Sequence, residues 1–264
     1  MEKGTNYNVE YLLKYIGKEK QVQLETFVQE MLSKKYQSFN APEDIINTLG
    51  STVEDFINQL SSEEAKNLRS YTGYQFRNIN AVLRNNWNYE VNGRLSDELK
   101  KEYNALAENI HQVLNKTTAI PTGIKTYRGV SIQAFQSYGI FSLNDLAYLE
   151  GKYLYEEGFT STSLIKEKCF YYTDPFTLTG KPNILIEYLI PENSDDGIAL
   201  LSDNLSYSTN QTEFLLRDSS LFKVISVSID TTNNVAFMKL MLIPERIWNY
   251  PDYEFERNEM LLPK

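Results

Sequence analysis

The chain has 264 residues, 42% of them apolar and 23% charged, a globular composition with enough length for a sizeable core. Acidic residues outnumber basic ones 35 to 26, and the net charge of -9 removes the usual electrostatic attraction for nucleic acid. A single cysteine, Cys169, and a single histidine, His111, exclude an internal disulfide, a cysteine-rich zinc site and any multi-histidine metal centre.

In chain order, the polar start Met1-Glu2-Lys3-Gly4-Thr5-Asn6 does not read as a signal peptide, and no apolar run approaches the ~20 residues that span a bilayer. Apolar spacings of three and four over residues 8–35 predict two helices broken near Gly17. Ser51-Thr-Val-Glu54 and Ser61-Ser-Glu-Glu64 fit capping boxes and predict two helix starts. Ser96 opens a helix with Leu99, Tyr103, Leu106, Ile110, Val113 and Leu114 on one side, and Ser142 opens another that runs to about Glu157. From Pro121 onward β-branched and aromatic residues predict strands at 124–130, 158–163, 183–190, 198–202, 212–217, 221–229 and 235–243. Helices first and strands later make an α+β protein, not a doubly wound sheet.

Neither a glycine-rich phosphate loop nor the dinucleotide glycine fingerprint is present, so a bound nucleotide must be held by side chains. Three stretches offer such side chains. Tyr127-Arg128 puts an arginine in the first strand, Ser161-Thr162-Ser163 puts hydroxyls in the second, and Gln211-Thr212-Glu213 puts an amide and a carboxylate two apart. Strand alternation predicts that Gln211 and Glu213 share a face. Upstream, Arg69-Ser70-Tyr71-Thr72-Gly73 precedes a helical segment carrying Asn80 and Arg84.

In this order and spacing the stretches resemble the arginine–serine–glutamate class of the mono-ADP-ribosyltransferase toxins over about residues 52–245. The Gln-x-Glu form is similar to the Rho-inactivating exoenzymes and to toxins that modify asparagine. The resemblance implies the ADP-ribosyltransferase fold: two perpendicular antiparallel sheets with an N-terminal helical lobe. Residues 1–50 would be a helical extension and 51–264 the catalytic domain. It implies NAD as co-substrate with no metal, a host protein acceptor that is most simply a small GTPase, side NAD glycohydrolase activity, and a secreted protein acting in the host cytosol. The N-terminal helices would then extend the lobe or meet a delivery component. Alternatives are another host protein, guanine in DNA, which the acidic charge disfavours, or a non-catalytic binding module.

The same resemblance implies roles. Arg128 and Arg84 would clamp the pyrophosphate, with Asn80 adding a hydrogen bond and Lys181 a point charge where relatives carry arginine. Ser161 would orient Glu213, Glu213 would stabilise the oxocarbenium-like cation, and Gln211 would hold the acceptor. Tyr127, or one of Phe170, Tyr171 and Tyr172, would stack on nicotinamide, Thr162 would belong to the cofactor wall, and Tyr207 would contact the target protein.

Overall fold

The computed structural model describes residues 7–84, 96–172 and 183–248. Helices occupy the first half: α1 (Tyr7–Leu32), α2 (Pro42–Asn58), α3 (Ser62–Ser70), a single π-helical turn (Tyr71–Gln75), α4 (Phe76–Leu83) and α5 (Asp97–Leu114). Strands follow: β1 (Ile124–Val130), β2 (Tyr153–Glu156), β3 (Thr160–Ser163), β4 (Ile184–Ile190), β5 (Gly197–Leu200), β6 (Glu213–Leu216), β7 (Ser220–Asp230) and β8 (Val235–Ile243), with the short α6 (Glu245–Trp248) after them.

The strands lie in the order β2-β7-β8-β4-β1-β3-β6-β5, antiparallel except for the β4–β8 pair. The two sheets expected from sequence are joined. The five-strand block ending at β1 and the three-strand block beginning at β3 share one register pair, Tyr127 opposite Ser163. Long ladders hold each block internally, with seven register pairs between β1 and β4 and four between β3 and β6. The chain is thus free to change direction at this seam, and the motif strands β1 and β3 meet there.

Two hydrophobic clusters hold the layers. In the larger, Ile45, Leu49, Val53 and Phe56 of α2 and Ala107, Ile110, Val113 and Leu114 of α5 share one core with Ile186, Phe214 and Leu240 of the strands. In the other, Leu24, Val28 and Met31 of α1 pack on Leu189, Leu221, Met241, Ile243 and Trp248. Full burial of each such side chain contributes about 1.5–3 kcal/mol. That is enough to carry α1 through Gly17, where a break was predicted: a lone helical glycine costs only about 1 kcal/mol.

Two other expectations are corrected. Ser51 lies inside α2, because that helix starts at Pro42, with Glu43 and Asp44 in its first turn. The Ser142 helix is a short 3-10 segment, Leu143–Leu149, capped reciprocally by Ser142 and Asp145. It stops before Gly151, whose φ of 75° favours glycine, and the chain then enters β2, unpredicted, against β7. The box at Ser61 and the serine at Ser96 do start helices: Glu64 N–H donates to the Ser61 hydroxyl and Leu99 N–H to that of Ser96.

Candidate active site

Residues from three strands and one helical segment meet at the seam. Arg128 follows Tyr127 on β1. Glu213 opens β6, opposite Ser163 of β3, with Ser161 two residues further along β3. Glu213 is only 2% exposed, and burial pushes its carboxyl up to about 7, although a hydrogen bond from Ser161 and the charge of Arg128 pull the other way. A carboxylate that titrates near neutrality in such surroundings marks a candidate reactive group.

Tyr71, in the π-helical turn, forms the floor. Its phenol is buried and pushed up to about 12 by that burial, and it also interacts with Ser161, Glu213, Asn80 and Arg128. The hydroxyl donates to the Phe159 carbonyl at 3.3 Å and accepts from the Asn80 amide at 3.1 Å. Asn80 is fully engaged. Its oxygen accepts the Phe159 N–H at 2.9 Å, and its nitrogen also reaches the Phe159 carbonyl at 3.2 Å. These bonds stitch α4 to the start of β3. The approach requires Gly158, where a Cβ would lie 2.9 Å from Asn80 Oδ1 and 3.2 Å from Arg84 Cζ.

Arg84 caps the C-terminal end of α4, and its Nε donates to Glu156 Oε1 at 2.8 Å. Arg84 and Arg128 converge on Tyr188 of β4. Burial raises that phenol to about 12, and the charges of both arginines and of Glu156 act on it, with a hydrogen bond from Arg128. Two guanidinium groups near one phenol suit a pyrophosphate, and Ser161 and Glu213 stand beside Arg128. Among the described residues, no group of three His, Cys, Asp or Glu side chains could hold a metal, and no helix is long and apolar enough to cross a membrane.

The side carrying Gln211, expected to hold the acceptor, is built differently. Gln211 and Glu213 do not share a strand face, as alternation had predicted. Gln211 ends a 3-10 turn (Thr209–Gln211), Thr212 takes left-handed angles (φ 52°, ψ 48°), and only then does β6 begin. The turn is anchored from below: the Ser163 hydroxyl lies 3.0 Å from the Gln211 carbonyl, Leu164 N–H donates to the Thr212 carbonyl, and Lys168 Nζ donates to the Asn210 carbonyl at 2.6 Å. Tyr207 is 58% exposed. Its N–H donates to the Thr72 hydroxyl at 2.8 Å, its ring is 5.9 Å from that of Tyr74, and the Arg69 guanidinium lies 5.7 Å from its centroid.

Two residues expected at the cofactor are elsewhere. Thr162 alternates away from Ser161, is fully buried, and donates its hydroxyl to the Phe214 carbonyl at 2.8 Å. Tyr127 alternates away from Arg128 into a small cluster with Cys169 and Leu185, its hydroxyl 3.4 Å from that of Ser38. In both cases the period of two that presents one residue to the site withdraws its neighbour. Lys181 lies outside the described residues, as do the side chains of Phe170, Tyr171 and Tyr172. Tyr188 and Glu156 were not foreseen. Tyr188 could have been found from the β1–β4 pairing, because it sits opposite Thr126, on the same face as Arg128.

A family model described as ADP-ribosyltransferase exoenzyme matches residues 48–243. Among solved structures, the chain is similar to C3stau2 from S. aureus, determined with NAD, at 18% identity and TM-score 0.59, covering 80% of this chain and 100% of that one. It is also similar to an ADP-ribosyltransferase from Clostridium botulinum, at 20% identity and TM-score 0.57, covering 79% and 99%. A third is the Clostridium limosum C3 exoenzyme, at 21% identity and TM-score 0.56, covering 80% and 98%. Comparison with curated protein sequences returns no match. Identities this low establish the shared fold, and the family rests on the match over residues 48–243.

Proposed function

The chain belongs to the ADP-ribosyltransferase exoenzyme family, and from that premise we propose that it transfers ADP-ribose from NAD to an asparagine of a host Rho-type small GTPase. The observation that carries the transfer chemistry is the buried Glu213, under the opposing influence of Ser161 and Arg128 at the seam between the two strand blocks. Arg128 and Arg84 hold the pyrophosphate by charge-assisted hydrogen bonds. The bond between nicotinamide nitrogen and ribose C1 breaks, its electron pair leaving with nicotinamide. The ribose becomes cationic, and the Glu213 carboxylate stabilises that charge where it develops. The acceptor amide nitrogen then bonds to C1 and releases a proton, for which Glu213 has a suitable affinity near neutral pH. Water in place of the acceptor gives the slower NAD hydrolysis.

Ser161 orients Glu213 and tunes its ionisation. Asn80, with both amide ends engaged inside the protein, acts as the brace that fixes the Arg84 segment against β3, rather than as a direct NAD contact. Gln211 supports asparagine as acceptor. An amide can donate to and accept from another amide, whereas an arginine acceptor would be better served by a carboxylate. Tyr207, exposed beside Tyr74 and Arg69, offers an aromatic contact to the target protein. The family suggests secretion and action inside a host cell. A delivery component would meet the outer side of α1, where Val22 is 65% exposed, because Leu24, Val28 and Met31 are already packed on the sheet.

Labelled NAD incubated with a host-cell lysate, followed by mass spectrometry of the labelled band, tests the proposal. The expected result is one band of small-GTPase size modified on asparagine. Label on arginine, efficient labelling of the arginine analogue agmatine, or label in nucleic acid would replace the acceptor assignment. No label and no NAD consumption would leave a binding module.

A further inference from the structure

Arg84 owes its place to a residue with no assigned part in the reaction. Glu156 ends β2, where its backbone is paired with Ser220 of β7. Its Oε1 accepts two hydrogen bonds, one from Arg84 Nε and one from the N–H of Gly158, each at 2.8 Å. The second bond fixes the carboxylate to its own loop, so that it offers Arg84 a stationary anchor. The contact is made at Nε, the inner edge of the guanidinium, and does not use the two Nη groups. Gly158 permits this geometry, since a Cβ there would press on Arg84 Cζ and Asn80 Oδ1 together. Burial disfavours the Arg84 charge, while the charge and hydrogen bond of Glu156 favour it, with smaller contributions from Tyr71 and Tyr138.

A carboxylate beside a phosphate-binding arginine has two opposed consequences. It reduces the positive potential that attracts an anion. It also fixes a long, rotamer-rich side chain whose immobilisation would otherwise oppose binding. Because the bond is at Nε and the carboxylate is itself held by Gly158, the positioning effect is the larger. We propose that Glu156 is a positioning residue for NAD, fixing Arg84 through Nε and leaving its Nη edge to the dinucleotide pyrophosphate. The inference rests on the phosphate role given to Arg84 above.

A double-mutant cycle on the full chain tests it, with NAD affinity read by calorimetry and hydrolysis by steady-state kinetics. Glu156→Ala should weaken NAD binding about tenfold and raise KM by a similar factor, with kcat within about twofold. In the Arg84→Ala background the same substitution should change affinity less than about twofold, since the group it positions is gone. Glu156→Gln, whose amide oxygen can still accept from Arg84 Nε and Gly158 N–H, should recover most of the affinity. Equal weakening by Glu156→Ala in both backgrounds, or failure of Glu156→Gln to rescue affinity, would overturn the inference. Tighter NAD binding in Glu156→Ala would overturn it as well, by showing that the carboxylate competes with phosphate. Unchanged affinity in Arg84→Ala alone would remove the phosphate role of Arg84 itself. The inference would then fall for a different and recognisable reason.

Discussion

The Arg84 side of the candidate site, proposed to hold the phosphates, and the Gln211 side, proposed to meet the acceptor, are made in opposite ways. On the Arg84 side, the buried Tyr71, Asn80, Gly158 and Phe159 and the half-buried Glu156 form a lattice of hydrogen bonds that reaches Arg84. Little can move there without breaking several bonds. On the Gln211 side, Gln211 sits in a short turn and Tyr207 projects into solvent, and backbone atoms of both are hydrogen-bonded to side chains elsewhere in the fold. Glu213 stands between them, buried, and in the proposed mechanism serves both halves. A common donor molecule would call for fixed geometry, and a partner protein for side chains that can change without unpicking the core.

Glu213→Gln is the most severe way to break this division, because it removes the group both halves share. Transfer and hydrolysis should both fall by at least about 10³, the scale expected when a transition-state electrostatic group is lost. NAD affinity by calorimetry should stay within a few-fold. Next in size, Arg128→Ala should weaken NAD binding by about 2–4 kcal/mol in the same titration, affecting hydrolysis and transfer alike. Gln211→Glu should sharpen the contrast. Protein transfer should drop by roughly 10²-fold while NAD hydrolysis keeps most of its rate, since only the acceptor's partner has changed. Parallel loss of both activities would show that the two halves are not separable.

The pH dependence probes the shared carboxylate. With Glu213 pushed up to about 7 and the ionised form active, kcat/KM for hydrolysis should rise through about pH 7 and level above it. Ser161→Ala should move that rise to higher pH, because the lost hydrogen bond favoured the ionised form. Folding responds in the opposite sense. A carboxyl raised from 4.5 to about 7 binds its proton more tightly when folded, so stability declines as pH climbs between those values. Above pH 7 the buried charge should oppose folding by roughly 3 kcal/mol. Glu213→Gln should accordingly raise the denaturant midpoint at pH 8 and leave it nearly unchanged at pH 4. The smallest expected effect is that of Tyr207→Ala: transfer reduced about three- to tenfold, roughly 1 kcal/mol of contact at an exposed aromatic, with hydrolysis unaltered.

The motif residues were legible because strand chemistry is local. A run such as Ile124–Val130, rich in β-branched and aromatic side chains between turn signals, predicts its own limits, and β1 has those limits. What was not legible depends on partners distant in sequence. Thr162 and Tyr127 sit in the right motifs, but the choice of which alternate residue faces the site is made by the β1–β3 junction and the core beneath it. β2 escaped notice because four residues carry too short a pattern to compete with a capped helical start at Ser142, and Glu156 was hidden with it. The turn at Thr212 was missed because threonine seldom adopts left-handed angles. Its bonds to the Ser163 side of β3 compensate for that conformation here.

That left-handed residue has a bearing on how such a protein can change its target over time. Were Gln211 part of β6, any replacement would have to respect the register that sets Glu213, and a slip of one residue would turn the carboxylate to the wrong face. Thr212 instead interposes a residue with left-handed angles between them, and the anchors at Ser163 and Leu164 bind backbone atoms that every amino acid possesses. Position 211 and the solvent-facing Tyr207 can therefore drift toward new acceptor chemistries, or acquire insertions before the turn, while the bond-breaking carboxylate stays in register. On the proposed mechanism, a lineage built on this hinge could change its acceptor without reinventing its reaction.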